Sequence, residues 1–208
     1  MSTAFKGQAA SKGEYEIPEA GSSPAIIVGL VDLGTQTRTY QGQTSEAHKV
    51  LILFQLDQVK SDGTPFVLSK DETLSFHRKS NLRKLAETIR GKAWDEGQPI
   101  DYSSLVGQTV LLTIETATSS SGSEYCKVSN ITKIPKGMAK VEPQVETICW
   151  SIGDDMGELP SWIPYLYGKR ITDVISSSRE LSGGVAPPAT RPAPAPSKGS
   201  RRADEVPF

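Results

Sequence analysis

The chain has 208 residues, with 23 Lys and Arg against 24 Asp and Glu, a formal net charge of −1. That balance argues against a protein that coats nucleic acid by bulk charge, while leaving room for a local cationic groove, since potential follows charge distribution. The length suits one barrel-sized domain with extensions. No apolar run approaches a membrane span, and the first residues lack the basic-then-apolar pattern of a signal peptide. Cys126 and Cys149 have no tight spacing and read as reduced thiols, so the expectation is a soluble, cytoplasmic protein.

Residues 1–23 are polar, small and Gly-rich, an N-terminal arm with little core of its own. Residues 25–33 are β-branched and apolar and predict a long buried strand. Residues 34–43 read as a polar loop carrying Arg38 and Tyr40. The second strand is expected over 48–59, with Val50, Ile52, Phe54 and Leu56 facing the core and Leu51 and Leu53 facing outward. Ser61-Asp-Gly63 is a hairpin turn signal, and an interrupted third strand follows over 66–77. Ser80 is an N-cap, Leu82, Leu85, Ala86 and Ile89 fall at helical spacing, and Gly91 supplies the stop. Two further strands are expected over 108–116 and 124–132, joined by a Ser/Gly loop.

Three strands, a helix and two strands is the wiring of the five-stranded OB-fold Greek-key barrel, a mainly β fold with its helix between strands three and four. This domain would span 24–136. A C-terminal extension, 137–181, would add a Trp-anchored turn and a helix over 169–178 packing on the barrel. Residues 182–203 are rich in Pro, Ala, Ser and Gly, a composition that cannot offset chain entropy, and predict a disordered linker.

The chain ends Asp204-Glu-Val-Pro-Phe208, which presents a ring and a carboxylate together, with Pro207 restricting the backbone beside them. Such a tip (Asp204, Glu205, Val206, Pro207 and Phe208) suits a protein pocket with an apolar base and an Arg or Lys rim. It resembles the acidic C-terminal tip of bacterial single-stranded-DNA-binding proteins. The body is similar instead to a family of phage-encoded OB-fold single-stranded-DNA-binding proteins. The residues carrying this are Tyr15-Glu-Ile-Pro18 with Gly21, Gly29-Leu-Val-Asp-Leu-Gly-Thr35, Tyr40-Gln-Gly42 and Thr73-Leu-Ser75. Lys79-Ser-Asn-Leu82, Arg90-Gly-Lys92, Gly107, Tyr125 and Leu159-Pro-Ser-Trp-Ile163 complete the set. The resemblance runs from about residue 14 to 178, with Trp94 standing where that pattern has Phe and Ile89 where it has Trp.

The resemblance implies sequence-independent binding and protection of single-stranded DNA in phage replication or recombination, with replication or recombination proteins recruited by the tip. The residues allow the same mechanism: a cationic groove for the backbone and aromatic faces for the bases. Candidate contacts are Arg38, Tyr40, Lys49, Arg78, Lys79, Arg83, Lys84, Tyr125 and Lys127, weighed against the plainer reading of the helix cations as a solvated face. Phe54, Phe66 and Phe76 are expected in the core, and Trp150 and Trp162 as packing anchors.

No cofactor, metal or catalytic activity is expected. His48, His77, Cys126 and Cys149 lack ligand spacing, and the acidic Asp154, Asp155 and Glu158 read as a solvated loop rather than a nuclease's cation site. The rival reading is an OB-fold interaction module of a replisome that does not touch DNA. Its motive is the outward Leu51 and Leu53, a row that a partner, the N-terminal arm or a homodimer could cover.

Overall fold

The computed structural model describes residues 16–40, 42–95, 97–119, 122–153 and 157–183, excepting the Tyr40 side chain. The protein is mainly β, an open antiparallel sheet to which one short parallel strand is added, with few helices. β1 (Gly21–Tyr40), β2 (Gln43–Val59), β3 (Pro65–Thr73), β4 (Thr109–Thr118) and β5 (Glu124–Lys133) lie in the order β3-β2-β1-β4-β5. β6 (Ile148–Trp150) runs parallel to β1 at Gly29–Val31. Among the described residues no ladder joins β3 to β5, so the sheet remains open there.

The segment expected to be a loop over 34–43 is instead the far half of a long hairpin. Thr35 pairs with His48, and the ladder continues to Tyr40 opposite Gln43. The physical reason lies in Thr35, Thr37 and Thr39, β-branched residues at every second position, which favour extended backbone whatever their polarity. β1 is bulged between Ile27 and Gly29 and again between Asp32 and Gly34. Alternation already sends Ala25 and Ile27 to one core and Ile26 and Val28 to the other, and each bulge switches which parity faces which side.

The first core lies on the face covered by α1 (Asn81–Arg90) and gathers Ile27, Ile52, Phe54, Leu56, Val110, Leu112 and Ile114. α1 begins where expected: the Ser80 hydroxyl accepts from the Arg83 N–H at 3.2 Å. It ends at Gly91, whose left-handed backbone turns its N–H to the Glu87 carbonyl at 2.8 Å. Leu82, Ala86 and Ile89 seal the sheet, and a 3-10 turn at Tyr102–Leu105 closes the same side.

The second core corrects the reading of β2. Leu51 and Leu53 do not face solvent; both are 0% exposed. They pack with Val28, Val31 and Leu33 beneath residues of the C-terminal segment, among them Val141, Leu166, Ile171 and Val174. Trp150 and Trp162 pack against this cluster, and α2 (Ile171–Ser176) contributes Ile171, Val174 and Ile175. Gln55, fully buried on the same face, ties the segment down. Its Nε2 donates to the Glu142 carbonyl at 3.0 Å, and its Oε1 accepts from the Gln144 N–H at 2.6 Å and the Val145 N–H at 3.1 Å.

Beyond α2 the chain returns to the second bulge. Gly34 has φ +68, and a Cβ there would lie 2.6 Å from the Ser178 Cβ and 2.8 Å from the Ile152 Cδ1, so only glycine fits. Glu180 accepts from the Thr35 N–H at 2.8 Å and from its hydroxyl at 2.6 Å. Desolvation disfavours the Glu180 carboxylate, but the two Thr35 hydrogen bonds outweigh it and hold the pKa down at about 2. A depressed carboxylate stabilises the fold above its unfolded pKa and loses that contribution as pH falls through its folded one. Thermal melts between pH 5 and pH 2 should therefore show the wild type losing more stability than Glu180→Gln. Parallel losses would show that this carboxylate contributes nothing to the pH dependence.

Candidate nucleic-acid interface

The β1–β2 hairpin brings two of the sequence-predicted cations together. Lys49 shares a strand face with Leu51 and Leu53 and stands opposite Gly34, beside the C-terminal segment. Its Nζ lies 3.2 Å from Asp71 Oδ2 on β3. Arg38, exposed and paired with Ser45, lines the same cavity as Lys49 and Asp71. Arg38, Lys79 and Lys84 make no ion pair among the described residues. Tyr40 reaches the hairpin end by its backbone, opposite Gln43; its side chain lies outside the described residues.

The register of β2 with β3 sets the second group. Lys49 pairs with Thr73, where β3 ends, so the chain from Leu74 onward leaves the sheet beside Lys49. That segment carries Phe76, Arg78 and Lys79, all exposed. Phe76 is not a core residue as its parity predicts; it is 55% exposed. Strand alternation stops at Thr73, so parity counted past it has no meaning. The Phe76 ring stacks on Tyr102 at 5.4 Å and 11°, and Trp94 meets Tyr102 edge-on at 6.5 Å. Arg90 lies 4.9 Å over the Trp94 ring. Burial raises the pKa of the Tyr102 phenol, whose hydroxyl donates to the Ser75 carbonyl at 2.9 Å.

Arg83 takes a structural place behind this aromatic tier. It is buried, its Nε donates to Glu87 at 2.9 Å, and its terminal nitrogens donate to the carbonyls of Phe76 and Trp94 at 3.1 Å each. These bonds hold two of the aromatic residues in place, and they turn its charge inward. Lys84 is exposed on α1.

Tyr125 and Lys127 form a separate group. β4 pairs with β1 only over Gly21–Ile26, and the β4–β5 turn leaves beyond Gly21, the end of β1 opposite Tyr40. Tyr125 is 43% exposed, and Lys127 pairs across the ladder with Glu115 at 3.1 Å. No contact unites these two with Arg38 or Lys49 among the described residues.

Two residues that the sequence reading passed over complete the hairpin group. Tyr167 and Gly168 form a two-residue turn, with φ of +53 and +74, closed by reciprocal hydrogen bonds of 3.0 Å between Leu166 and Lys169. Tyr167 stands out 74% exposed, with its hydroxyl 2.5 Å from Asp71 Oδ1. The Tyr-Gly dipeptide between Leu166 and Lys169 was a turn signal that could have revealed it.

No group of three or more His, Cys, Asp and Glu residues placed to hold a metal occurs among the described residues. Nor does a helix long and apolar enough to cross a membrane. Asp154 and Asp155 lie outside the described residues, as do residues 184–208 with the linker and the tip Asp204–Phe208. No protein-family model matches this sequence, and no curated protein sequence matches it.

Proposed function

We propose that this protein binds single-stranded DNA without sequence preference on an OB-type barrel and protects it during phage DNA replication or recombination. The observation that carries this reading is Phe76, an exposed ring backed by Tyr102, in the segment that holds Arg78 and Lys79 and leaves the sheet beside Lys49. An aromatic platform among cations is what sequence-tolerant strand binding needs: rings for successive bases, charges for the phosphates. The strand order, with α1 between β3 and β4, supports the barrel reading. Tyr125 and Lys127, beside the β4–β5 turn, would extend the path. The tip Asp204–Phe208 would recruit replication or recombination proteins. The rival interaction-module reading loses its motive, because Leu51 and Leu53 are already covered by the chain itself.

Fluorescence anisotropy with labelled single-stranded and duplex oligonucleotides tests the proposal. The expected result is tight binding that prefers single strands and ignores sequence. Engagement of Arg38, Lys49, Arg78, Lys79 and Lys127 predicts a log–log salt slope of about −3.5, since each phosphate neutralised on a single strand contributes roughly 0.7. Phe76→Ala should weaken binding by about 1–3 kcal/mol, the worth of one stacked base. Absence of binding at low salt would sink the reading.

A further inference from the structure

Between the far half of the β1–β2 hairpin and the C-terminal segment lies a cavity of about 530 Å³, within the roughly 300–1,000 Å³ typical of small-ligand sites. Its wall is apolar where Leu33, Ala47, Leu166 and Val174 reach it. Arg38, Lys49 and Lys169 bring three cations to it, against the single carboxylate of Asp71. Asp71 is already engaged, by Lys49 at 3.2 Å and by the Tyr167 hydroxyl at 2.5 Å. The net character of the cavity is therefore cationic, with an apolar wall.

Tyr167 is the second, independent observation. Among the described residues it is the one non-glycine with positive φ. Tyrosine gains nothing locally from that backbone, which suits glycine or asparagine and costs a bulky side chain about 1 kcal/mol or more. Nor does burial explain it, since the ring stands largely in solvent. What the strained turn achieves is position: the ring projects beside the cavity, and the bond to Asp71 fixes its far end. The phenol is neutral at physiological pH, as any tyrosine is, so it does not repel phosphate.

We propose that this cavity takes one unstacked nucleotide of a bound single strand, its base on the Tyr167 ring and apolar wall and its phosphate between Arg38 and Lys169. The inference rests on the single-strand reading and deepens it. The C-terminal segment then does two things: it covers the second core and supplies half of a nucleotide subsite. A strand passing from Phe76, Arg78 and Lys79 to Lys49 and Arg38 would enter this cavity at the same end of the sheet.

The test uses the full chain and oligo(dT). Tyr167→Ala and Lys169→Ala should each raise Kd several-fold, whereas Tyr167→Phe, which keeps the ring, should remain within about twofold of wild type. Tyr167→Gly should lose the affinity while holding or raising Tm, since glycine relieves the strained backbone. Tyr167→Trp provides a direct signal: the fluorescence of the introduced indole should be quenched by oligo(dT) and restored by salt. Wild-type affinity in Tyr167→Ala and Lys169→Ala, with the wild type itself binding tightly, would overturn the subsite and leave the single-strand reading standing. A wild type that binds no single strand would overturn both. A lower Tm with unchanged affinity in Tyr167→Gly would make Tyr167 a structural residue and overturn the proposal. Quenching of the Tyr167→Trp variant by free thymidine monophosphate at the oligomer's own affinity would likewise overturn it, by making the ligand a free nucleotide.

Discussion

A chain ended at residue 136 should fail to fold, although the sequence presents 24–136 as a domain of its own. Such a chain keeps β1 to β5 and α1 but loses everything that covers the second face of the sheet. Ile26, Val28, Val31, Leu33, Leu51 and Leu53 are all buried there. At about 1.5–3 kcal/mol for each fully covered aliphatic side chain, uncovering six of them removes roughly 9–18 kcal/mol. Even after a discount for burial against neighbours in the same sheet, that rivals the ~5–15 kcal/mol by which a whole protein is stable. Gln55 would exchange its three backbone partners for water as well. The measurement is expression of the truncated chain followed by size-exclusion and a thermal melt. Aggregation or a non-cooperative melt is expected; a monodisperse, cooperatively melting product would show that the second core contributes little.

The second large effect belongs to Arg83. Arg83→Ala removes a buried guanidinium that serves Glu87 and two main-chain carbonyls; it takes the Arg83 donors from the Phe76 and Trp94 carbonyls and leaves Glu87 with the Trp94 N–H. Losing a buried donor that serves a partly exposed carboxylate and two carbonyls costs about 1–3 kcal/mol, which for a chain of this size lowers Tm by roughly 2–12 °C. Arg83→Lys preserves the charge but cannot reach three acceptors in a plane, so it should recover little of that loss. The salt slope of DNA binding separates this role from a phosphate contact. It should be unchanged in Arg83→Lys and shallower by about 0.7 in Lys79→Ala. A shallower slope with normal Tm in Arg83→Ala would return Arg83 to the interface.

What the sequence revealed follows from how far apart the deciding contacts lie. α1 was legible in full because its cap, apolar stripe and glycine stop all fall between Ser80 and Gly91. The inward parity of Val50, Ile52, Phe54 and Leu56 was legible for the same reason. Its complement, Leu51 and Leu53, was misread because alternation describes one buried face, and here both are buried. The clue was present: an unbroken apolar run from Val50 to Phe54 is the mark of a strand covered on two sides. The hairpin over 34–43 was hidden by its polarity, although its alternating threonines carried a strand signal.

The site was less legible than the fold. Arg38 and Lys49 came together because they sit on paired strands. Arg83 looked like a solvated cation because its acceptors are carbonyls, which no residue pattern displays. Tyr167 depends on a turn far along the chain from Lys49 and Asp71, and only the tertiary fold brings them together.

The contact between Glu180 and Thr35 has a consequence for the order of events. These residues are separated by 145 positions, yet Glu180 is what caps the second bulge of the first strand. The earliest described strand to be synthesised is thus among the last to be finished, waiting for a segment made long after it. Closing so long a loop is entropically costly before its contacts form, so assembly should be slow and governed by this step. During synthesis the apolar side of β1 and β2 would stay uncovered until α2 had left the ribosome, which makes the nascent chain a natural client for chaperones.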